Sequence, residues 1–253
     1  LISFKYLLVE SILFALSQLN IKHVAINNNN FNHIYSTLRL QKNRLNYRSA
    51  IALSLAGKQS NLASQIASSL VNRLKRKISP NLVHIQVTPP AWIEFRLTEY
   101  AIQQWLEDGF QEISTNFYRG ILDSASGPET IQSLPQYVRD RCWQLLQLGL
   151  KDNLISLRDP TQTWKIVSLS HQNLLQGDDW QLLYHLVATR DGLEQLSSSQ
   201  QREKLAHYLS RAFLEFHCHC QLFNRQQPNF HQIAVIHFSA IAITERLLFQ
   251  LGY

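Results

Sequence analysis

His217-Cys218-His219-Cys220 is the one run in the 253-residue chain that places metal-ligand side chains at short spacing. On a helix His217 and Cys220 stand three apart and share a face, while Cys218 and His219 point elsewhere. A structural zinc site needs four convergent ligands from paired motifs. No second His/Cys pair is placed to complete one unless His237 or Cys142 folds back, so buried helix thiols are the better reading and no metal is expected. The motifs that cradle phosphates or raise a nucleophile are missing. There is no Gly-x-Gly-x-x-Gly and no Gly-x-Ser-x-Gly, and Gly57-Lys58 lacks the upstream glycine of a phosphate-binding loop. The paired acids Glu107-Asp108 and Asp178-Asp179 are adjacent in sequence, and adjacent helix residues do not converge on one substrate. Asp178-Asp179 follow Gly177 and read as capping charge at a helix start. No catalytic residue and no cofactor is expected.

Cationic charge is the remaining chemistry. Of a net charge of +6, residues 1–90 contribute 11 Lys and Arg against the single acid Glu10, a net of +10. Residues 91–130 carry −5 and residues 131–253 carry +1. Such asymmetry points to a polyanion bound by the first third, the alternative being a solubilising surface. Hydrophobic residues make up 45% and charged residues 17%, which excludes disorder as the dominant state. Three Cys, two of them Cys218 and Cys220, do not frame a disulfide domain, so a reducing, cytoplasmic setting is expected. No stretch reads as apolar enough to cross a bilayer, and no membrane insertion is expected. Residues 4–19, with Lys5 and Glu10 inside them, read as an amphipathic helix rather than a signal peptide.

The elements that must carry these residues follow from periodicity. Apolar residues three and four apart predict helices over 3–19, 47–55 and 61–74, the last capped by Asn61 and ending in Arg73, Lys75, Arg76 and Lys77. Residues 21–26 read as a short strand, and the Asn run 27–30 as a break. Alternation over 82–88 and 92–97 around Pro89-Pro90 predicts a hairpin. Helix resumes over 98–117, and Ser124-Ala125-Ser126-Gly127-Pro128 reads as a linker. Helices are then predicted over 134–150, 164–175, 180–186, 200–223 and 231–251. The expected fold is an α+β domain over 1–122, a linker over 123–130 and an all-α helical bundle over 131–253.

Asn46-Tyr47-Arg48-Ser49-Ala50-Ile51-Ala52-Leu53-Ser54-Leu55-Ala56, the 63–71 segment and Pro90-Ala91-Trp92-Ile93-Glu94-Phe95-Arg96-Leu97 resemble the N-terminal domain of arginyl-tRNA synthetases. The glycines that the family places in the hairpin return are replaced by Pro89-Pro90-Ala91-Trp92. Residues 135–146, Lys204-Leu205-Ala206-His207-Tyr208-Leu209, Ala212-Phe213-Leu214-Glu215-Phe216 and the close Leu251-Gly252-Tyr253 resemble the same enzymes' helical anticodon-binding domain, the DALR type. Where the family reads Phe-Tyr-Asn-x-Cys, this chain has Phe216-His217-Cys218-His219-Cys220. The nucleotide-binding catalytic domain that lies between the two modules is missing, with both of its signatures.

The resemblance implies a non-catalytic paralogue that binds tRNA or a tRNA-like RNA and is not an enzyme. In the family the N-terminal domain touches the outer corner of tRNA and the helical domain reads the anticodon loop. The residues that would meet phosphates and bases on the basic N-terminal face are Lys42, Arg44, Tyr47, Arg48, Arg73, Lys75, Arg76 and Lys77. In the helical domain they are Arg139, Trp143, Arg211 and His217, although Trp143 on an amphipathic helix also reads as core. Two alternatives stand beside this reading. One is a scaffold that binds protein partners through the same modules. The other is the tRNA-binding part of a split synthetase.

Overall fold

The computed structural model describes residues 1–19, 28–42, 45–57, 59–123, 133–155, 175, 177–226 and 229–253. They form two units, residues 2–102 and residues 103–253 with Leu1. The division falls inside a helix, upstream of the expected 123–130 linker, whose residues 124–130 lie outside the described residues.

The N-terminal unit begins with α1 (Phe4–Ser17), where the Ser3 hydroxyl accepts from the Tyr6 N–H and caps the first turn. The Asn run does not break the chain as expected, because Asn28 opens α2 (Asn28–Thr37). Two strands follow, β1 (Leu38–Gln41) and β2 (Asn46–Ser49). A helix over 47–55 was expected there; only α3 (Ile51–Ala56) is helical. Residues 46–49 are held extended by strands on both sides, and that pairing overrides a local apolar period. Gly57 ends α3 at φ 60°, a left-handed position that glycine takes without strain.

Helix α4 (Ser60–Lys77) starts one residue before Asn61, and the preceding Gln59 makes no capping bond, so the expected Asn61 cap is not formed. Lys75, Arg76 and Lys77 fill its last turn, where cations suit the helix dipole. The expected hairpin is present as β3 (Val83–Thr88) and β4 (Trp92–Leu97), with a cis Pro89–Pro90 peptide between them. The four strands pair antiparallel in the order β1-β2-β4-β3. Leu38, Tyr47, Ile85, Ile93 and Phe95 are buried on one face of this sheet, against which α2, α3 and α4 pack. The expected strand over 21–26 lies outside the described residues.

Helix α5 (Glu99–Asp123) crosses the division between units. The second unit is otherwise helical: α6 (Leu134–Lys151), α7 (Gly177–Leu193), α8 (Ser199–His219) and α9 (Phe230–Gln250). Ser133 and Ser198 cap α6 and α8 through their hydroxyls. Asp178 and Asp179 lie in the first turn of α7 as expected. Apart from Leu175, the expected helix over 164–175 lies outside the described residues.

Helix α9 is the centre of this unit, packed against α6, α7 and α8. Contrary to the expectation that no such stretch exists, its 21 residues are long and apolar enough to cross a membrane by length and composition. The apolar character has a second cause, because 72% of its apolar window is buried among the neighbouring helices. α6 approaches α9 closely at Gly149, where an added Cβ would stand 2.6 Å from Cε1 of the buried Phe238. Gly149→Ala is therefore expected to lose about 1–3 kcal/mol through overpacking, read as a lower urea midpoint at unchanged m-value.

Candidate nucleic-acid interface

The strand register decides which cations share a surface. Across the sheet, Arg39 of β1 stands opposite Arg48 of β2, Arg48 opposite Glu94 of β4, and Glu94 opposite Gln86 of β3. The next row in the same orientation is Gln41, Asn46, Arg96 and His84. These side chains alternate with the buried set, so they belong to the face that the helices leave open. Arg39, His84, Gln86 and Arg96 are exposed, and Arg48, Trp92 and Glu94 are half-buried.

Arg48 is the best-held cation of the group. Its guanidinium carbon lies 5.1 Å from the centroid of the Trp92 ring, and its Nη2 is 3.4 Å from the Thr88 hydroxyl. Its buried Nε donates to no group among the described residues. Glu94, the acid in the row, accepts at 2.8 Å from the Gln86 amide. Arg39 and Arg48 thus face each other directly, and like charges opposite one another destabilise a sheet. A bound anion removes that repulsion. Guanidinium groups fix phosphates, while Trp92 and the plane of Arg48 offer faces for an unstacked base.

The residues expected on one basic N-terminal face are distributed differently. Arg48 is on the open sheet face, and Lys42 is exposed in the turn after β1. Arg44 lies outside the described residues. Tyr47 is fully buried under the sheet, and this corrects its expected role, since a side chain packed on β4 Phe95 in the core row meets no RNA. Arg73, Lys75, Arg76 and Lys77 are at the end of α4, on the helical side of the sheet. Arg39, His84, Trp92 and Arg96 lie on the same open face and are not among the residues expected from the sequence. For His84, Trp92 and Arg96 the signal was the alternation of residues 83–88 and 92–97, which separates an outward set once the sheet is known, whereas Arg39 lies in the four-residue β1 outside both segments.

In the helical unit, two of the four expected RNA contacts are engaged within the fold. Arg139 donates from Nε to Glu245 at 2.9 Å and from Nη1 to the Tyr253 carbonyl at 2.7 Å, fastening α6 to the end of α9. His217 stacks on Phe213 at 5.7 Å, and its Nε2 lies 3.3 Å from Arg141 Nε. Burial, then the Arg141 charge, lowers the His217 pKa and keeps the ring neutral. Both residues are half-buried and engaged in contacts within the fold. Trp143 is half-buried, and Arg211 is exposed.

Among the described residues no three His, Cys, Asp or Glu converge to hold a metal ion. His237 does not turn to His217; it faces Asp179 at 3.0 Å. Cys220 lies 3.9 Å from His217 Nδ1, and burial followed by the Asp179 charge pushes its thiol up to about 12. Cys142 is fully buried, and its pKa is raised by burial and then by Glu245. Both thiols are held protonated.

No protein-family model matches the chain. No curated protein and no solved structure matches it either.

Proposed function

We propose that the chain binds tRNA or a tRNA-like RNA, without catalysing a reaction on it, and that the open face of the N-terminal sheet holds the RNA. The observation that carries this reading is the antiparallel register, which gathers Arg39, Arg48 and Arg96 from three strands beside Trp92. The surface combines fixed cations with a half-exposed ring, the pairing that single-stranded and looped RNA requires. The reading is also supported by an α+β unit preceding a helical one, the order of the two arginyl-tRNA synthetase modules that the sequence resembles. A cytoplasmic setting belongs to the same reading.

Titration with total tRNA in a mobility-shift assay tests it, followed by sequencing of the retained RNA. Binding that weakens steeply with salt is the expected result, because neutralised phosphates release counterions. Absence of binding at low salt overturns the reading. As a paralogue without a nucleotide-binding domain, the purified chain is expected to show no arginine-dependent exchange of pyrophosphate into ATP. Exchange above background would make it an enzyme.

A further inference from the structure

Lys5 and Glu10 are the only charged side chains of α1, which is otherwise apolar around most of its circumference. A helix of that composition is normally enclosed. Here Leu8, Val9, Ile12, Ala15 and Leu16 are buried, and α1 packs on α2 and α4. The opposite arc leaves Leu7 at 43% and Phe14 at 52% exposure. Seven residues apart, these two fall on one stripe, with the exposed Glu10 between them.

The basic end of α4 borders this stripe. Lys77 Nζ lies 4.3 Å from the centroid of the Phe14 ring. Arg73 and Arg76 precede Lys77 by four residues and one residue, and Arg73 shares its helical face. None of the ion pairs among the described residues uses Arg73, Lys75, Arg76 or Lys77.

We propose that the α1 stripe docks an amphipathic helix of a protein partner, with Asp and Glu along the edge that meets α4. Leu7 and Phe14 are two turns apart, the spacing at which a helix places anchors at i, i+3 and i+7. Charge selects the partner. A second copy of this surface carries Glu10 as the only acid of α1 and α4 and supplies no acidic row, whereas a partner helix edged with Asp and Glu neutralises Lys77, Arg76 and Arg73. Glu10 leaves a place for a single Lys or Arg opposite it. The aliphatic Leu7 offers a nucleobase no ring to stack on, so an RNA is less suited here than on the open sheet face. The proposal is independent of RNA binding, since it uses the helical side of the sheet.

The test is fluorescence anisotropy with the full chain and three labelled peptides. One is a helical peptide with Leu or Phe at i, i+3 and i+7 and acidic flanks. The second keeps the apolar positions with Lys and Arg flanks, and the third is a scramble of the first. The acidic amphipathic peptide is expected to bind at least about tenfold more tightly than either control. Phe14→Ser, and separately Arg76→Glu with Lys77→Glu, are expected to weaken it by about tenfold, the effect of losing one anchor. Both sites are exposed, and circular dichroism verifies that the variants fold. Retained tRNA affinity in Phe14→Ser separates this surface from the RNA site, and loss of tRNA binding by the wild type leaves the peptide result standing. Equal affinity for all three peptides, or no peptide binding, overturns the proposal. So does sedimentation with phosphatidylserine vesicles in the absence of peptide binding, or a dimer that Phe14→Ser dissociates.

Discussion

Replacing Arg39 and Arg96 by Glu and Arg48 by Gln is expected to lower affinity for total tRNA by roughly two orders of magnitude at low salt, since three phosphate contacts are lost. The slope of log affinity against log salt should fall by about two to three, in proportion to the counterions no longer released. The loss should be uniform across tRNA species, because phosphate contacts carry no sequence information. Arg39 and Arg96 are exposed, so their replacement leaves the core untouched, and Gln retains much of the Arg48 stem over Trp92. Trp92→Ala should act differently, costing about 1–3 kcal/mol if a base stacks on the ring and shifting the preference among loops. Unchanged affinity and slope in the triple variant would remove the open face from the interface.

Phe95→Ala is expected to destabilise the N-terminal unit by about 3–5 kcal/mol, the usual cost of removing a buried aromatic ring. Phe95 is fully buried in the central strand β4, opposite Tyr47 on one side and Ile85 on the other. The cavity would open beside the row that holds Arg48 and Glu94, on the opposite face of the sheet. A loss of that size is a large share of a domain's total stability of about 5–15 kcal/mol. Urea unfolding followed by a probe in this unit should show the midpoint falling without a change in slope. RNA binding should fall with the folded fraction and recover where a stabilising osmolyte restores the fold. A variant that remains folded yet loses RNA binding would indicate that the ring sets the geometry of the face.

Helix and hairpin periodicities were legible wherever an element buries one face along its own length. α1, α4, α6 and α8, and the β3–β4 hairpin, carry their apolar residues at regular spacing, so each declares its type locally. β1 and β2 were not legible. β2 is four residues long, and its partners are residues 38–41 on one side and 93–96 on the other. Its extended form therefore rests on hydrogen bonds to segments distant in the chain. Asn28, Asn29 and Asn30 begin a helix although their side chains favour turns, since α2 packs on α1. The hydropathy of α9 was likewise ambiguous, because a helix enclosed by neighbours and one enclosed by lipid have the same composition.

By itself the sequence determined that positive charge is concentrated in the first third, that nucleotide-binding and nucleophile motifs are missing, and that an α+β segment precedes a helical one. These properties depend on residue types and their local spacing. Tertiary structure alone decided which cations share a surface. It placed Arg39, Arg48 and Arg96 side by side from three strands and removed Tyr47 into the core. It also tied Arg139 to Glu245, and it set Lys77 against Phe14 on a different surface. The physical reason is that charge is additive along a chain, whereas a binding surface depends on register and packing, and both are set by residues far apart in sequence.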